Sequence, residues 1–260
     1  MMPCIFFGLC GLLLGSFLNV CILRLPAGES IVAPRSHCPL CRQPIANRDN
    51  IPVLSWIMLR ARCRACGKRI SWRYPAVELA CCALFFLCCF YFSFSWQAAG
   101  WALLCFLLLG LAVMDAETLL LPDAFTLPGL AAGVAIAALH GGLRGAGLSL
   151  LAAAAAAATL LLIAGAYWLA RRQMGMGMGD VKLLAMLAAW LGLRETALVL
   201  FLSVIGGAFY GLGTIVIHRK RTTELLGKMP IPFGTMLSLA ALYSVFLGER
   251  TLRWYLSFFH

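Results

Sequence analysis

Two aspartates, each at the end of a long apolar segment, are the side chains of this sequence best placed to do chemistry. Asp180 ends the run G-M-G-M-G-D that begins at Gly175, and Asp115 follows the apolar segment 97–114. A carboxylate at the mouth of a membrane helix is costly and usually has a function. Two carboxylates that lie close together cannot both ionise easily, so one keeps a proton while the other activates water. We therefore predict that Asp115 and Asp180 are the catalytic pair of an aspartic hydrolase.

The glycines before Asp180 are predicted to give a substrate access to the pair. Gly177 and Gly179 carry no side chain, so another backbone can approach them closely or they can adopt positive φ. Two alternatives are that Asp180 is a helix cap and that the glycines form a phosphate loop. However, the sequence has no G-x-x-x-x-G-K-[S/T] pattern, and no predicted strand precedes the glycines, so the dinucleotide fingerprint fails as well. We expect Gly177 and Gly179 to be needed for access of the substrate backbone, and Gly175 only to extend the loop.

Four cysteines form a second group of side chains whose type and spacing could do chemistry. They occur as two C-x-x-C pairs, C-P-L-C at 38–41 and C-R-A-C at 63–66. This spacing is typical of a tetrahedral four-thiolate Zn²⁺ site, and four protein ligands make such a site structural rather than catalytic. Two disulfides or a redox pair are the alternatives, although stable disulfides are rare in a cytoplasmic loop. The predicted zinc ligands are Cys38, Cys41, Cys63 and Cys66.

The composition places both groups in a membrane protein. The 260 residues are 62% hydrophobic and 12% charged, with a mean hydropathy of +0.91. Soluble domains are about half apolar and about a quarter charged. Several runs of roughly 18 or more residues lack charge, which is long enough to cross a hydrocarbon core of about 30 Å. We predict an all-α polytopic membrane protein of about eight transmembrane helices, near 1–23, 76–95, 97–114, 124–140, 147–170, 180–193, 195–218 and 232–248.

The basic residues predict how the chain is oriented. The net charge is +11, and the loop from Arg24 to Arg73 is rich in arginine and lysine with only two acids. A nucleic-acid patch is an alternative, but a basic loop in a membrane protein usually marks the cytoplasmic side. This choice also places Arg171, Arg172 and the cluster 219–221 inside, with both Asp115 and Asp180 at cytoplasmic helix ends. We expect no nucleic-acid partner and three parts, namely a first helix at 1–23, a cytoplasmic zinc-binding domain at 24–75 and a membrane domain at 76–260.

Glu78, Glu117 and Asp123 are the other acids near these segments. Asp123 follows Pro122 before an apolar segment, so we interpret it as a helix N-terminal acid that free backbone N–H groups and the helix dipole stabilise. Glu117 is expected to lie in a solvent-facing loop. Two roles stay open for Glu78, which follows R-Y-P-A-V: an ion pair with a loop arginine such as Arg73, or a polar group lining a cleft.

Several motifs in this order resemble a known family. They are G-S-F-L-N-V-C-I-L-R-L-P (15–26), the two C-x-x-C pairs, N-I-P-V-L-S-W (50–56), R-Y-P-A-V-E (73–78), D-A-E-T-L-L-L-P-D (115–123) and G-M-G-D-V-K-L (177–183). Together they resemble the bifunctional prepilin leader peptidases of type IV pilus and type II secretion systems. These enzymes are G-x-G-D membrane aspartic proteases of the bacterial inner membrane.

The resemblance implies an activity and a set of roles. The family's catalytic aspartates correspond to Asp115 and Asp180, and its zinc-binding cysteines to the four named above. It implies cleavage of a short basic leader after a glycine at the cytoplasmic face, followed by N-methylation of the new amino terminus with S-adenosylmethionine. The implied partners are prepilins or pseudopilins with a hydrophobic helix, and the pilus or secretion assembly machinery. Glu117 stands where the family often has aspartate, a change that keeps the charge.

The basic cytoplasmic face must be reconciled with a basic substrate leader. We expect the zinc loop to contact the anionic headgroups of membrane lipids. The leader would instead meet a local acidic patch formed by Glu78, Asp115, Glu117, Asp123 and Asp180.

Two functions of other classes are alternatives. One is an ion-coupled transporter, in which Asp115 and Asp180 bind ions and the glycines break a helix. The other is a membrane scaffold with a zinc loop and no catalysis, in which both aspartates would be dispensable.

Overall fold

The chain folds into helices joined by loops. The computed structural model describes residues 1–172, 177–217 and 231–258; Gly175 and the basic cluster 219–221 lie outside these ranges. The described part contains no β-strand, which confirms the predicted all-α class. A 3₁₀ turn lies at Asn47–Asp49 and a π-helical turn at Ser244–Gly248. The helices are α1 (Met2–Arg24), α2 (Leu54–Met58), α3 (Arg73–Phe92), α4 (Trp96–Thr118), α5 (Asp123–Arg171), α6 (Met178–Ile217), α7 (Phe233–Tyr243) and α8 (Glu249–Leu256).

Five of the described helices, α1, α3, α4, α5 and α6, are long and apolar enough to cross a membrane. The helix α5 has 49 residues and α6 has 40. At 1.5 Å per residue each is roughly twice as long as a bilayer core of about 30 Å. Each is also interrupted by a glycine with positive φ, Gly142 (φ 59°) in α5 and Gly192 (φ 76°) in α6. The predicted number of eight spans stays a prediction.

Prolines mark the starts of the helices that position the site. Pro122 precedes α5 with extended backbone angles (φ −63°, ψ 136°), and Pro232 precedes α7. Proline cannot donate a backbone hydrogen bond, and its fixed φ suits the entry into a helix. These two prolines therefore fix where the first turns of α5 and α7 expose their free N–H groups.

The chain divides into two compact units, and the first is Met1–Gly110. Within it α1 and α3 pack against each other through glycines of α1. A Cβ on Gly11 would lie 2.7 Å from the carbonyl oxygen of Cys81, and one on Gly15 would lie 2.8 Å from Cα of Glu78. Small residues are the usual means by which membrane helices approach this closely. The amide of Asn19 adds a 3.0 Å hydrogen bond to the carbonyl of Tyr74.

The second unit is Leu111–His260, in which α5 packs along α6. Ala153 of α5 lies in a buried cluster with Ala185 and Ala189 of α6. Two polar side chains reach across to the carbonyls of the neighbouring helix. The hydroxyl of Ser149 donates to Ala189 over 2.9 Å, and the indole N–H of Trp190 donates to Gly129 over 2.7 Å.

Candidate active site

Asp115 lies in the last turn of α4 and is 5% exposed. Its Oδ2 accepts two hydrogen bonds from Thr235, one from the backbone N–H at 2.6 Å and one from the hydroxyl at 3.0 Å. The backbone N–H of Gly234 also faces this carboxyl group. Gly234 and Thr235 belong to the first turn of α7, whose N–H groups have no partner within the helix. Asp115 therefore satisfies donors at the start of another helix.

Asp180 lies in the first turn of α6 and is half-buried. The backbone N–H of Gly177 faces its carboxyl group, and Asp115 is close enough for its charge to act on Asp180. The structure thus brings together the two aspartates that the sequence predicts to be catalytic, although they come from different helices. Such a pair can take one proton from water and give another to a carbonyl oxygen.

Leu121 packs between Gly179, which precedes Asp180, and Gly234 at the start of α7. A Cβ on Gly179 would lie 3.0 Å from Cβ of Leu121, and a Cβ on Gly234 would lie 2.8 Å from its Cδ1. The same Cβ on Gly234 would also lie 3.0 Å from Cγ of Asp115. Gly179 therefore has a packing role that the sequence did not indicate. Gly177 has more room, since its Cβ would meet Oδ2 of Asp180 at an ordinary 3.5 Å.

Lys182 and Asp123 form an ion pair beside the site. The ammonium of Lys182 lies 2.7 Å from Oδ1 and 2.8 Å from Oδ2 of Asp123. Asp123 is the first residue of α5, which confirms its predicted position at a helix N-terminus. Because Lys182 offsets its charge, Asp123 adds less to the expected acidic patch than its sequence position indicated. Glu117 is exposed, as expected, but it lies in the last turn of α4 and not in a loop.

The four predicted metal ligands meet in the loop between α1 and α3. The Sγ atoms of Cys38, Cys41, Cys63 and Cys66 all lie within 4.8 Å of one another. The two C-x-x-C turns are built alike. The N–H of Cys38 donates to Gln43 and the N–H of Cys63 donates to Lys68, at 2.9 and 2.8 Å. The residue after each pair, Arg42 or Gly67, has positive φ.

This cysteine cluster has the chemistry and dimensions of a metal site. With Zn–S bonds of about 2.3 Å, tetrahedral geometry places the sulfurs about 3.8 Å apart, and Sγ of Cys38 lies 4.0 Å from Sγ of Cys66. A hydrogen bond from the backbone of Cys41 lowers the pKa of Cys38 to about 7, whereas burial and the neighbouring thiols raise the pKa of Cys41 to about 11. A bound metal would have to displace the remaining protons, because its ligands are thiolates. All twelve cysteines are free thiols, so the disulfide alternative finds no support. The cluster could hold a metal such as zinc.

An ion pair closes the cysteine loop on itself. The guanidinium of Arg64, beside Cys63, donates to both carboxylate oxygens of Asp49 at 2.8 and 2.7 Å. The hydrogen bond from Arg64 lowers the pKa of Asp49. The pair ties the 3₁₀ turn at Asn47–Asp49 to the second C-x-x-C turn.

Glu78 is buried in α3 and anchors the segment that follows the first C-x-x-C pair. Its Oε2 accepts the backbone N–H of Val53 at 2.7 Å, and the hydroxyl of Ser16 in α1 also donates to it. Val53 has φ 60°, which is strained for a β-branched residue. Glu78 thus holds a strained residue in place, a role that neither of the two sequence-based alternatives included.

The sequence of this chain matches two protein-family models. The family model for the bacterial peptidase A24 N-terminal domain matches residues 9–92, and that for the type IV leader peptidase family matches residues 101–212. No solved structure matches the chain.

The curated relatives agree with both family models. The chain is 36% identical to the prepilin leader peptidase/N-methyltransferase of Aeromonas hydrophila, over 99% of this chain and 96% of that protein. It is 37% identical to the protein of the same name from Stutzerimonas stutzeri, over 95% of this chain and 92% of that protein. The corresponding Klebsiella pneumoniae protein is 43% identical over 76% of this chain and 89% of its own length. The chain belongs to the type IV leader peptidase family, which confirms the resemblance seen in the sequence.

Proposed function

We propose that this protein is a membrane aspartic endopeptidase that removes the basic leader of prepilins or pseudopilins after a glycine. The observation that carries the proposal is the meeting of Asp115 and Asp180 at the ends of two apolar helices. The relatives named prepilin leader peptidase/N-methyltransferase, which span nearly the whole chain, support the same substrate class. They give no support to an ion-coupled transporter or to a scaffold without catalysis.

The proposed cleavage needs one acid and one base. One carboxylate accepts a proton from water as the water oxygen attacks the scissile carbonyl carbon, and the other carboxyl group gives its proton to the carbonyl oxygen. The tetrahedral diol then collapses, the C–N bond breaks, and the leaving nitrogen takes up a proton. Gly177 and Gly179 are proposed to lie along the extended substrate, with Gly179 also making room for Leu121.

The second proposed activity is methylation of the new amino terminus. The names of the relatives include an N-methyltransferase, which supports this step. The acceptor amine exists only after cleavage, so the two reactions have a fixed order. S-adenosylmethionine is the methyl donor proposed as the second substrate, and no residue of this chain is assigned to it.

The zinc loop and the active site are proposed to face the cytoplasm of a bacterium, with the helices in the inner membrane. The arginines and lysines of the loop support this orientation, because basic residues stay on the cytoplasmic side. Zn²⁺ bound by Cys38, Cys41, Cys63 and Cys66 would hold together a loop that is too short and polar for a core of its own.

Membrane lipids are the proposed neighbours of the cysteine loop. A groove of about 540 Å³ lies just before α3, and its lining includes three arginines and two tryptophans but no acid. Arginine and tryptophan at the boundary of a membrane helix favour anionic headgroups. The arginines and tryptophans that line the groove are Trp56, Arg60, Arg62, Arg69 and Trp72.

We propose pilus or secretion assembly proteins as further partners, on the strength of the substrate class alone.

The test is to incubate the purified protein with a prepilin and labelled S-adenosylmethionine and to weigh the product by mass spectrometry. We expect loss of the leader and addition of one methyl group. Asp115→Asn or Asp180→Asn should lower cleavage by about 10²–10⁴-fold, because each removes an acid–base group, while membrane insertion stays normal. Normal processing by either variant would refute the catalytic pair.

A further inference from the structure

Thr235 is the residue most closely bound to Asp115. Its backbone N–H and its hydroxyl both lie on the same carboxylate oxygen, Oδ2, at 2.6 and 3.0 Å. The hydroxyl also lies 2.9 Å from the carbonyl oxygen of Ala112, one turn earlier in α4. Thr235 is therefore fixed on two sides, by the start of α7 that carries it and by the end of α4 that carries Asp115.

The hydroxyl of Thr235 has one proton and two acceptors. When Asp115 is a carboxylate, the hydroxyl can donate to Oδ2, and when it donates to Ala112 it can still accept a hydrogen bond. By rotation alone, the hydroxyl can donate to Oδ2 while Asp115 is a carboxylate and to Ala112 once Asp115 carries a proton. A backbone N–H cannot do this, because it only donates.

The two aspartates have unequal surroundings. Asp115 receives the N–H and hydroxyl of Thr235 together with the N–H of Gly234, whereas the N–H of Gly177 is the backbone donor that faces Asp180. Donors that cannot accept a proton favour the carboxylate form of their partner. The larger number of donors around Asp115 favours its carboxylate form more than that of Asp180.

We propose that Thr235 is a positioning residue that holds Asp115 as the base of the pair. This inference rests on the proposed peptidase function. Both donors of Thr235 occupy Oδ2, which leaves Oδ1 as the oxygen that takes the proton of the attacking water. Asp180 supplies the other proton, to the carbonyl oxygen of the substrate.

The protons and electron pairs balance in this assignment. A lone pair of water forms the C–O bond, the water proton moves to Oδ1 of Asp115, and the carbonyl π pair takes the proton of Asp180. On collapse, an O–H pair re-forms the carbonyl and returns its proton to Asp180, and the C–N bond breaks. The leaving nitrogen takes the proton from Asp115, so both carboxyl groups end as they began.

Thr235→Val removes the hydroxyl at nearly constant shape and keeps the backbone N–H. We expect kcat for prepilin cleavage to fall about tenfold, as for loss of a hydrogen bond to a charged group, with KM unchanged. Thr235→Ser keeps a hydroxyl and should restore most of kcat. The matched control is Thr196→Val. Thr196 is also buried, but its hydroxyl donates to Gly192 of its own helix, at 2.7 Å. The kcat of this control variant should equal that of the wild type.

Three results would overturn the proposal: a wild-type kcat for Thr235→Val, a serine variant as slow as the valine variant, or an effect confined to KM. If the valine variant fails to accumulate in the membrane, Thr235→Ser and Thr235→Ala give the same comparison of side chains with and without a hydroxyl. Asp115→Asn and Asp180→Asn are measured in parallel. If they still cleave, the proposed function fails; if they are inactive and Thr235→Val is fully active, only the role of Thr235 fails.

Discussion

Asp115 lies at the end of its helix where a negative charge is least favoured. The C-terminal turn of α4 presents the negative end of the helix dipole, which opposes a buried carboxylate. The start of α7 counters this, because the N–H groups of Gly234 and Thr235 face the carboxyl group. The charge thus lies between helix ends of opposite polarity, so changes at the start of α7 should be felt at Asp115.

Gly234→Ala tests how closely that geometry must be kept. The added Cβ would lie 2.8 Å from Cδ1 of Leu121 and 3.0 Å from Cγ of Asp115, so the Leu121 side chain, the carboxyl group or the start of α7 must move. We expect cleavage to fall by about 10²-fold, since a shift of about 1 Å in a catalytic group costs that much. The rate is measured on a purified prepilin.

Gly177→Ala is the matched control for this experiment. Its Cβ would meet Oδ2 of Asp180 at an ordinary 3.5 Å, so the pair itself should stay in place. If Gly177 lies along the substrate as proposed, this variant should raise KM and keep kcat. Full activity of Gly234→Ala would contradict the tight packing around Asp115.

At the scale of elements, an ion pair joins the first residue of α5 to the second turn of α6. Lys182, two residues after Asp180, binds both oxygens of Asp123 at 2.7 and 2.8 Å. Both side chains are well exposed, so the pair should add little to stability. Its consequence lies in the local charge, because Lys182 offsets an acid that was expected to attract the basic leader.

Lys182→Gln should therefore improve binding of a basic leader. Removing the ammonium leaves Asp123 with its full charge, and we expect KM for a basic leader to fall by about two- to fivefold at low salt. Lys182→Arg keeps the pair and should match the wild type. A KM that is unchanged in Lys182→Gln at low salt would show that Asp123 does not contact the leader.

Glu78 joins three elements of the amino-terminal unit. It lies on α3, receives Ser16 of α1, and accepts the N–H of the strained Val53 in the loop. Glu78→Ala should destabilise the loop by about 1–3 kcal/mol, because it leaves a partly buried N–H without this acceptor. Glu78→Gln keeps an acceptor oxygen and should cost less. Limited proteolysis of residues 24–73 measures the difference, and equal sensitivity of the two variants would contradict the anchoring role.

At the scale of the whole molecule, hydropathy predicts the helical class and where the apolar segments end, but not the backbone geometry that joins them. The segments 124–140 and 147–170 were expected to be separate helices, and the range Asp123–Arg171 consists of two helices that meet in a kink at Gly142, where φ is 59° and ψ is −151°. The sequence marks this break with His140, Arg144 and several glycines. A glycine can turn the chain with positive φ, but hydropathy carries no information on the angles that it adopts.

The site was partly predictable for a similar reason. Asp115, Asp180 and the cysteines stand in short local motifs whose spacing carries chemical meaning. Thr235 contacts Asp115 across 120 residues, and a threonine at a helix start is too common to indicate a long-range hydrogen bond. Leu121 and Lys182 likewise acquire their roles from tertiary packing, which no spacing rule encodes.

The predicted metal site and the aspartate pair belong to different compact units. The four cysteines lie in Met1–Gly110, whereas Asp115, Asp180 and Thr235 all lie in Leu111–His260. Within the first unit the four thiols bring the two C-x-x-C turns together. Loss of a metal bound there should therefore affect the cysteine loop first.

Removal of zinc tests the role of the four cysteines. We expect about one Zn²⁺ per purified chain, and none after Cys66→Ser, because three thiolates and a hydroxyl bind zinc far more weakly. The 24–73 loop should then become sensitive to protease, because no metal ties its two C-x-x-C turns together. Cys10→Ser, which changes a half-buried thiol of α1 outside the cluster, is the control and should keep both the metal and the loop. Zinc-free wild-type protein, or a Cys66→Ser variant that retains full zinc, would contradict the four-thiolate site.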